Sequence, residues 1–172
     1  MNTAPKTPSH PPTRILVVDD EEIVLVALRD TLRLEGYEVV TAHDGIQALE
    51  RLQHEEFAVI LTDHQMPTLT GLEWLAQAKE LQPDAVRILI SAVLGVNTFI
   101  DAINKAEIYR FILKPWQREE LLTTLRQAVQ RHETTIRHQR RLAATTELND
   151  KLNQLNRSLI EELDQLKAAP SM

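Results

Sequence analysis

The chain predicts an α/β fold, a doubly wound five-stranded parallel sheet followed by one long helix. Three observations lead to that expectation. Short β-branched runs alternate five times with helical patterns, which is how βαβ units read in sequence. Three of the runs end in charged residues: Ile15-Leu16-Val17-Val18 leads into Asp19-Asp20, Ala58-Val59-Ile60-Leu61-Thr62 into Asp63, and Tyr109-Arg110-Phe111-Ile112-Leu113 into Lys114-Pro115. Beyond Pro115 no Gly or Pro occurs until Pro170, so an extended helix is indicated there.

The elements follow in order. After the first strand, Glu21 to Glu35 places Ile23, Val24, Ala27, Leu28, Thr31, Leu32 and Leu34 at helical spacing, and Gly36 stands where a C-terminal stop belongs. Tyr37 to Ala42 reads as the second strand, and His43-Asp44-Gly45 as a turn into a helix holding Ile46, Ala48, Leu49 and Leu52. The Asp63 strand runs into the loop His64-Gln65-Met66-Pro67, then a helix from about Gly71 to Leu81 that stops near Pro83. Val86 to Ala92 is the fourth strand. A helix around Val96 to Lys105 precedes the fifth strand, and Pro115 forces a break before the last helix.

Composition narrows the function classes. A chain of 172 residues accommodates one domain plus an appendage. Met1 to Thr13 carries Pro5, Pro8, Pro11 and Pro12 among small polar residues and lacks the apolar stretch of a secretory signal, so it reads as a disordered leader. No apolar run approaches the roughly 18 residues of a membrane span. The absence of cysteine excludes disulfides and thiolate metal sites and accords with a cytoplasmic location. Residues 1–116 hold 17 acids against 10 Lys/Arg, a balance of −7, and residues 117–172 hold 8 against 9, a balance of +1. An acidic body argues against nucleic-acid binding by the sheet domain.

The chemistry follows from position. Binding sites of open α/β sheets form outside the carboxyl ends of their strands, so one sheet edge gathers Asp19, Asp20, Asp63 and Lys114. Mg²⁺ takes oxygen ligands, usually one or two carboxylates with water and substrate phosphate, and Asp19, Asp20 and Asp63 supply carboxylates. Asp63 is the candidate nucleophile, since a carboxylate can form an aspartyl phosphate. The Lys114 ammonium would stabilise charge on the equatorial oxygens, and the Ser91 hydroxyl could donate to one of them. Taken singly, Asp20 reads as a helix cap, Ser91 as a strand-end hydroxyl and Lys114-Pro115 as the start of a loop. Their joint occurrence at consecutive strand ends favours a site. His43, His64, His132 and His138 show no ligand spacing and read as surface or loop residues.

The set Asp19-Asp20, Asp63-His64-Gln65-Met66-Pro67 with Gly71, Ser91-Ala92 and Lys114-Pro115 resembles the receiver domain of two-component response regulators, over about residues 14–130. The resemblance implies a flavodoxin-like fold and phosphoryl transfer to Asp63 from a histidine kinase or phosphotransfer protein. It implies Mg²⁺ held by Asp20, Asp63 and the Gln65 backbone carbonyl, and through water by Asp19. Lys114 and Ser91 would grip the phosphoryl group, and the Lys114–Pro115 peptide would be cis. Such a protein is a phosphoacceptor that catalyses its own phosphorylation and dephosphorylation, not an enzyme with a separate substrate.

The family also implies a switch, in which the Ser91 hydroxyl moves toward the phosphoryl group and an aromatic of the fifth strand turns inward. Phe111, three residues before Lys114, takes that role. Tyr109, two residues earlier and on the same face by strand alternation, is the competing candidate. The surface that would respond is built from the helix at Val96 to Lys105, the fifth strand and the last helix. Ala102-Ile103-Asn104, Ile108-Tyr109-Arg110-Phe111 and Lys114-Pro115-Trp116 resemble receivers of hydrogenase-type transcriptional regulators and of regulators with cyclic-dinucleotide phosphodiesterase domains. Neither a helix-turn-helix pattern nor a His-Asp metal motif follows residue 130.

The last helix, Gln117 to about Lys167, is expected to signal by forming a coiled coil over residues 131–167, with residues 168–172 as a disordered tail. Leu122, Leu125, Val129, His132 and Ile136 follow alternating steps of three and four, as do Leu148, Leu152, Leu155 and Leu159. The two registers do not join, and Leu163 and Leu166 continue the second with a one-residue slip. A homodimer that presents the helix to an effector protein is the expected output. The alternatives are a helix folded back on the receiver, a phosphorylation-independent scaffold, and a DNA-binding regulator using Arg126 to Arg141. That stretch holds five arginines and one acid. Because its arginines are dispersed along a partly apolar seam, a solvated face is favoured over DNA binding.

Overall fold

A computed structural model describes residues 13–92 and 106–168. All of the proposed leader but Thr13, the helix expected around Val96 to Lys105 and all of the tail but Ala168 lie outside these residues. Five strands, β1 (Arg14–Val18), β2 (Glu38–Ala42), β3 (Val59–Asp63), β4 (Val86–Ser91) and β5 (Arg110–Leu113), form one sheet in the order β2-β1-β3-β4-β5. Every pairing is parallel. This is the flavodoxin-like order, whose strand sequence reverses between β1 and β3 and opens a crevice there.

The helices form where apolar spacing and caps coincide. In α1 (Glu22–Leu34), Leu25, Leu28 and Leu32 are buried on one stripe, and Gly36 ends the helix at φ +89°, a left-handed conformation suited to glycine. In α2 (Gly45–His54), Asp44 caps the start by accepting from the Gln47 N–H at 2.7 Å. Helix α3 (Gly71–Leu81) opens with a capping box: Thr70 accepts from the Glu73 N–H while the Glu73 carboxylate accepts from the Thr70 N–H at 2.8 Å. Trp74, Leu75 and Ala78 form its buried face.

Strand alternation divides the apolar side chains between two faces. Ile15, Val17, Leu61, Ile88, Ile90 and Ile112 pack with α1 and with the first turns of the C-terminal helix, α4 (Arg118–Ala168). Leu16, Val18, Ile60 and Leu89 pack with α2 and α3 on the other face. At about 1.5–3 kcal/mol for each fully buried large aliphatic side chain, these two layers outweigh the surface ion pairs, which contribute about 0–1 kcal/mol each.

The chain divides into two compact units, Met1–Glu133 and Thr134–Met172. In the first, Leu121, Leu122, Leu125, Ala128 and Val129 of α4 are buried in the core. The first apolar register of the C-terminal helix is therefore core of the sheet domain, not coiled-coil seam. A helix stripe packed on a sheet and one packed on a second helix share the same steps of three and four, which is why the two read alike. In the second unit, helical residues 134–168 carry exposed leucines from Leu142 to Leu166.

Candidate functional site

The candidate site lies at the carboxyl ends of β1, β3, β4 and β5. Asp19 follows β1 and is almost fully buried. Its Oδ1 accepts from the Glu21 N–H at 2.9 Å, and its own N–H donates to the Ala42 carbonyl at 3.2 Å. Burial pushes the Asp19 carboxyl above its ordinary range, and the Glu21 N–H and Lys114 pull it part of the way back. Asp63 is the last residue of β3 and is also buried. Its Oδ2 accepts from the Gln65 N–H at 2.7 Å, and its Oδ1 faces the Lys114 ammonium at 2.7 Å.

Lys114 follows β5, and its N–H donates to the Ser91 carbonyl at 2.9 Å, which extends the β4–β5 ladder by one step. Its Nζ reaches Asp19 Oδ2 at 3.4 Å as well as Asp63. Burial works against the charged lysine, but the two carboxylates outweigh it and hold Lys114 above its ordinary range. The Lys114–Pro115 peptide is cis, as the resemblance implies. Ser91 is fully buried at the end of β4. Asp19, Asp63 and Lys114 thus form one contacting cluster, with Ser91 joined to it through the backbone.

Asp20 is exposed, and no hydrogen bond or ion pair among the described residues engages its carboxylate. Three carboxylates, Asp19, Asp20 and Asp63, stand against the one ammonium of Lys114, leaving two negative charges for a cation to balance. All the donors are oxygens, as a hard divalent cation requires. Among the described residues no three His, Cys, Asp or Glu side chains converge to hold an ion by themselves.

Gly71 is needed for the site's geometry. A Cβ at that position would stand 2.2 Å from the Asp63 carbonyl oxygen and 2.9 Å from the His64 Cα. Only glycine lets the start of α3 pass this close to the strand end, where the Gly71 N–H donates to the His64 carbonyl at 2.9 Å.

The two switch candidates prove not to share a face. Phe111 packs, half-buried, with the α2/α3 layer, whereas Tyr109 packs with the α1/α4 layer and stacks under the Arg131 guanidinium at 5.3 Å. Strand β5 begins at Arg110, so Tyr109 stands just before it, tied to β4 through the Arg87 carbonyl at 2.8 Å but outside the alternation of the strand.

Several contributors escaped the sequence reading. The Trp74 indole N–H donates to the Thr62 hydroxyl at 3.1 Å, and that hydroxyl donates to the Asp63 carbonyl at 2.9 Å. Arg87, a buried cation inside β4, donates to the carbonyls of Ala106 and Ala85 at 2.7 and 2.8 Å and meets Glu107 at 3.6 Å. An arginine in an otherwise apolar run was the available signal. His64 lies in the loop after β3 as expected, whereas His132 lies half-buried on α4. The Nδ1 of His64 is buried without a hydrogen-bond partner, and His132 on α4 contacts the Asp84 carbonyl at 2.9 Å.

With this geometry in place, residues 15–126 match the response regulator receiver domain family. The chain belongs to that family. The receiver is 43% identical over 116 residues to the hydrogenase transcriptional regulatory protein HoxA of Cupriavidus necator, a match covering 67% of this chain and 24% of that protein. The chain thus spans about a quarter of the length of that relative. Among solved structures, the signal receiver domain of an HD domain-containing protein from Pseudomonas fluorescens Pf-5 superposes with a TM-score of 0.70 at 33% identity, covering 72% of this chain and 99% of that one. The response regulator TrrA of Thermotoga maritima, solved in complex with Mg²⁺-BeF, superposes with a TM-score of 0.62 at 28% identity, covering 67% and 98%. Response regulators of this family act with histidine kinases in two-component systems. Among the described residues no helix is long and apolar enough to cross a membrane.

Proposed function

We propose that this receiver is a cytoplasmic phosphoacceptor, modified on Asp63 by a histidine kinase or phosphotransfer protein, that signals through its C-terminal helix. The observation that carries this reading is the Lys114 ammonium held between the buried carboxylates of Asp63 and Asp19, at 2.7 and 3.4 Å. A carboxylate oxygen of Asp63 attacks the phosphorus of a phosphohistidine. The new O–P bond forms as the N–P bond breaks, and the imidazole leaves with that electron pair and takes a proton from solvent. The Gln65 N–H fixes the plane of the Asp63 carboxylate, which pre-orients the attacking atom.

Lys114 is positioned to shift from Asp63 onto the incoming phosphoryl oxygens, and Ser91 to donate to another. Asp20, Asp63 and the Gln65 carbonyl would hold Mg²⁺, with Asp19 acting through water. When bound, that cation supplies charge neutralisation for the transferring group. Ser91 and Phe111 form the proposed switch: movement of the hydroxyl toward the phosphoryl group opens space into which the half-buried ring turns. The output reading is a homodimer through the exposed leucines of Thr134–Met172, presented to an effector protein.

Acylphosphate chemistry tests the first half. Acetyl phosphate with Mg²⁺ should label the chain at one residue, and Asp63→Asn should abolish the label. Label persisting in Asp63→Asn overturns the assignment. Beryllofluoride should change sedimentation, crosslinking or partner binding of the full chain, and unchanged behaviour in all three overturns the coupling to the helix.

A further inference from the structure

Thr62 and Asp63 are consecutive residues of β3, so their side chains leave the sheet on opposite faces. Thr62 meets Trp74 of α3 on the α2/α3 side, and both side chains are fully buried. An indole can only donate, so the Thr62 hydroxyl accepts from Trp74 Nε1 at 3.1 Å and keeps its own proton for a second bond. That proton goes to the Asp63 carbonyl, at 2.9 Å. The tryptophan thus sets the direction of the whole chain, from indole to hydroxyl to carbonyl. Trp74 is itself closely seated. A Cβ on Gly45, the first residue of α2, would stand 2.8 Å from Trp74 Cβ and 2.9 Å from its Cγ.

We propose that Trp74 and Thr62 are positioning residues for phosphoryl acceptance by Asp63. This rests on the phosphoacceptor reading given above and extends it to two residues that touch no reacting atom. The peptide joining Asp63 to His64 is planar, and it is held at both ends. Its carbonyl accepts from the Thr62 hydroxyl, and its N–H donates to the Ile90 carbonyl of β4 at 2.9 Å. Holding that plane fixes rotation about the Cα–C bond of Asp63. The Gln65 N–H, one peptide further on, is then presented to Asp63 Oδ2 at 2.7 Å, which leaves Oδ1 turned to Lys114. Loss of the hydroxyl frees the carbonyl end, so the peptide rocks and the carboxylate spreads over orientations unsuited to in-line attack. The phosphodonor's oxygens meet Lys114, Ser91 and the cation instead. Its binding is therefore left intact while the attack slows.

The test is the rate of labelling of the full chain by acetyl phosphate with Mg²⁺, with urea unfolding followed on the same variants. Thr62→Val keeps the shape of the side chain and removes the hydroxyl. It should lower the maximal labelling rate about tenfold and leave the half-saturating acetyl phosphate within about twofold. Thr62→Ser loses the methyl but keeps both hydrogen bonds, and should label within about twofold of wild type. Trp74→Phe removes the donor that orients the hydroxyl and should fall between them, at about a threefold loss. Thr62→Val also strands the buried indole N–H and lowers the urea midpoint, so a destabilised control is needed. Leu32→Ala, in the core of the opposite face, should lower the midpoint as far and keep the wild-type maximal rate. An unchanged rate in Thr62→Val or Trp74→Phe overturns the positioning roles and leaves Asp63 as acceptor. So does a Thr62→Ser as slow as Thr62→Val, or a Leu32→Ala slowed as much as Thr62→Val. A wild-type chain that takes no label, or an Asp63→Asn chain that keeps it, overturns the acceptor reading itself.

Discussion

One helix, α4, carries leucines of two kinds. Leu125 is 0% exposed and Leu121 1%, both packed on the sheet, while Leu152 is 54% and Leu155 57% exposed in the second unit. Residue type and local backbone are the same in both places. The difference is whether a covering surface exists within the unit. The first group belongs to a core that fixes where Asp63 and Lys114 stand. The second group has no cover within its own unit, so its stabilising contribution is available to association.

Substitution should separate the two most sharply. Leu125→Ala should lower the unfolding free energy by about 2–5 kcal/mol in urea denaturation, whereas Leu152→Ala should change the receiver's unfolding by less than about 0.5 kcal/mol. Equal losses would mean that both stripes are core. Gly71→Ala tests whether the tight packing of the first unit reaches the site. The clash at the Asp63 carbonyl should cost about 1–3 kcal/mol and also slow acetyl phosphate labelling. A variant with wild-type stability and labelling would show that the turn has slack.

A smaller effect is expected at the α3 capping box. Thr70→Ala should cost about 1 kcal/mol, read in the same denaturation experiment, with the second unit unaffected. The smallest is a pH effect. Glu55, hydrogen-bonded by Arg14 and then by Arg51, lies below the ordinary carboxylate range. A depressed carboxylate stabilises the fold above its unfolded pKa, and that contribution disappears as pH falls through the folded value. Between about pH 5 and 3, Glu55→Gln should flatten the acid loss by a few tenths of a kcal/mol, since the pair is screened by solvent. An unchanged slope would show that Arg14 contributes packing on Phe57 instead, where its guanidinium sits 5.2 Å from the ring.

The sheet and the acidic–basic cluster were legible because in parallel α/β folds the chemistry follows directly on the apolar runs. Asp19, Asp63 and Lys114 could be placed from the ends of those runs alone, and α3 falls on Gly71–Leu81 as expected. What sequence could not resolve depends on where an element begins or on what covers it. Strand alternation puts Tyr109 on the face of Phe111 only if β5 includes it, and β5 begins one residue later, at Arg110. Leu122, Leu125 and Val129 passed for a coiled-coil seam because a sheet imposes the same stripe as a partner helix. Arg87 falls inside β4 as its run implies, but its bond to the Ala106 carbonyl and its approach to Glu107 reach a distant segment and have no sequence period. The Trp74–Thr62–Asp63 chain likewise joins residues on α3 and β3 that no local pattern links.

That chain also makes the protein its own optical reporter. The sequence holds two tryptophans. The indole of Trp74 is tied through Thr62 to the backbone of Asp63, and Trp116, partly buried, follows Lys114 by two residues. Occupancy of the site that rearranges Asp63 should register in the Trp74 emission through Thr62, and a change at the lysine loop in that of Trp116. Emission of the unlabelled chain can therefore follow the arrival of a cation or a phosphoryl mimic in real time, and Trp116→Phe separates the signal of the acceptor strand from that of the lysine loop.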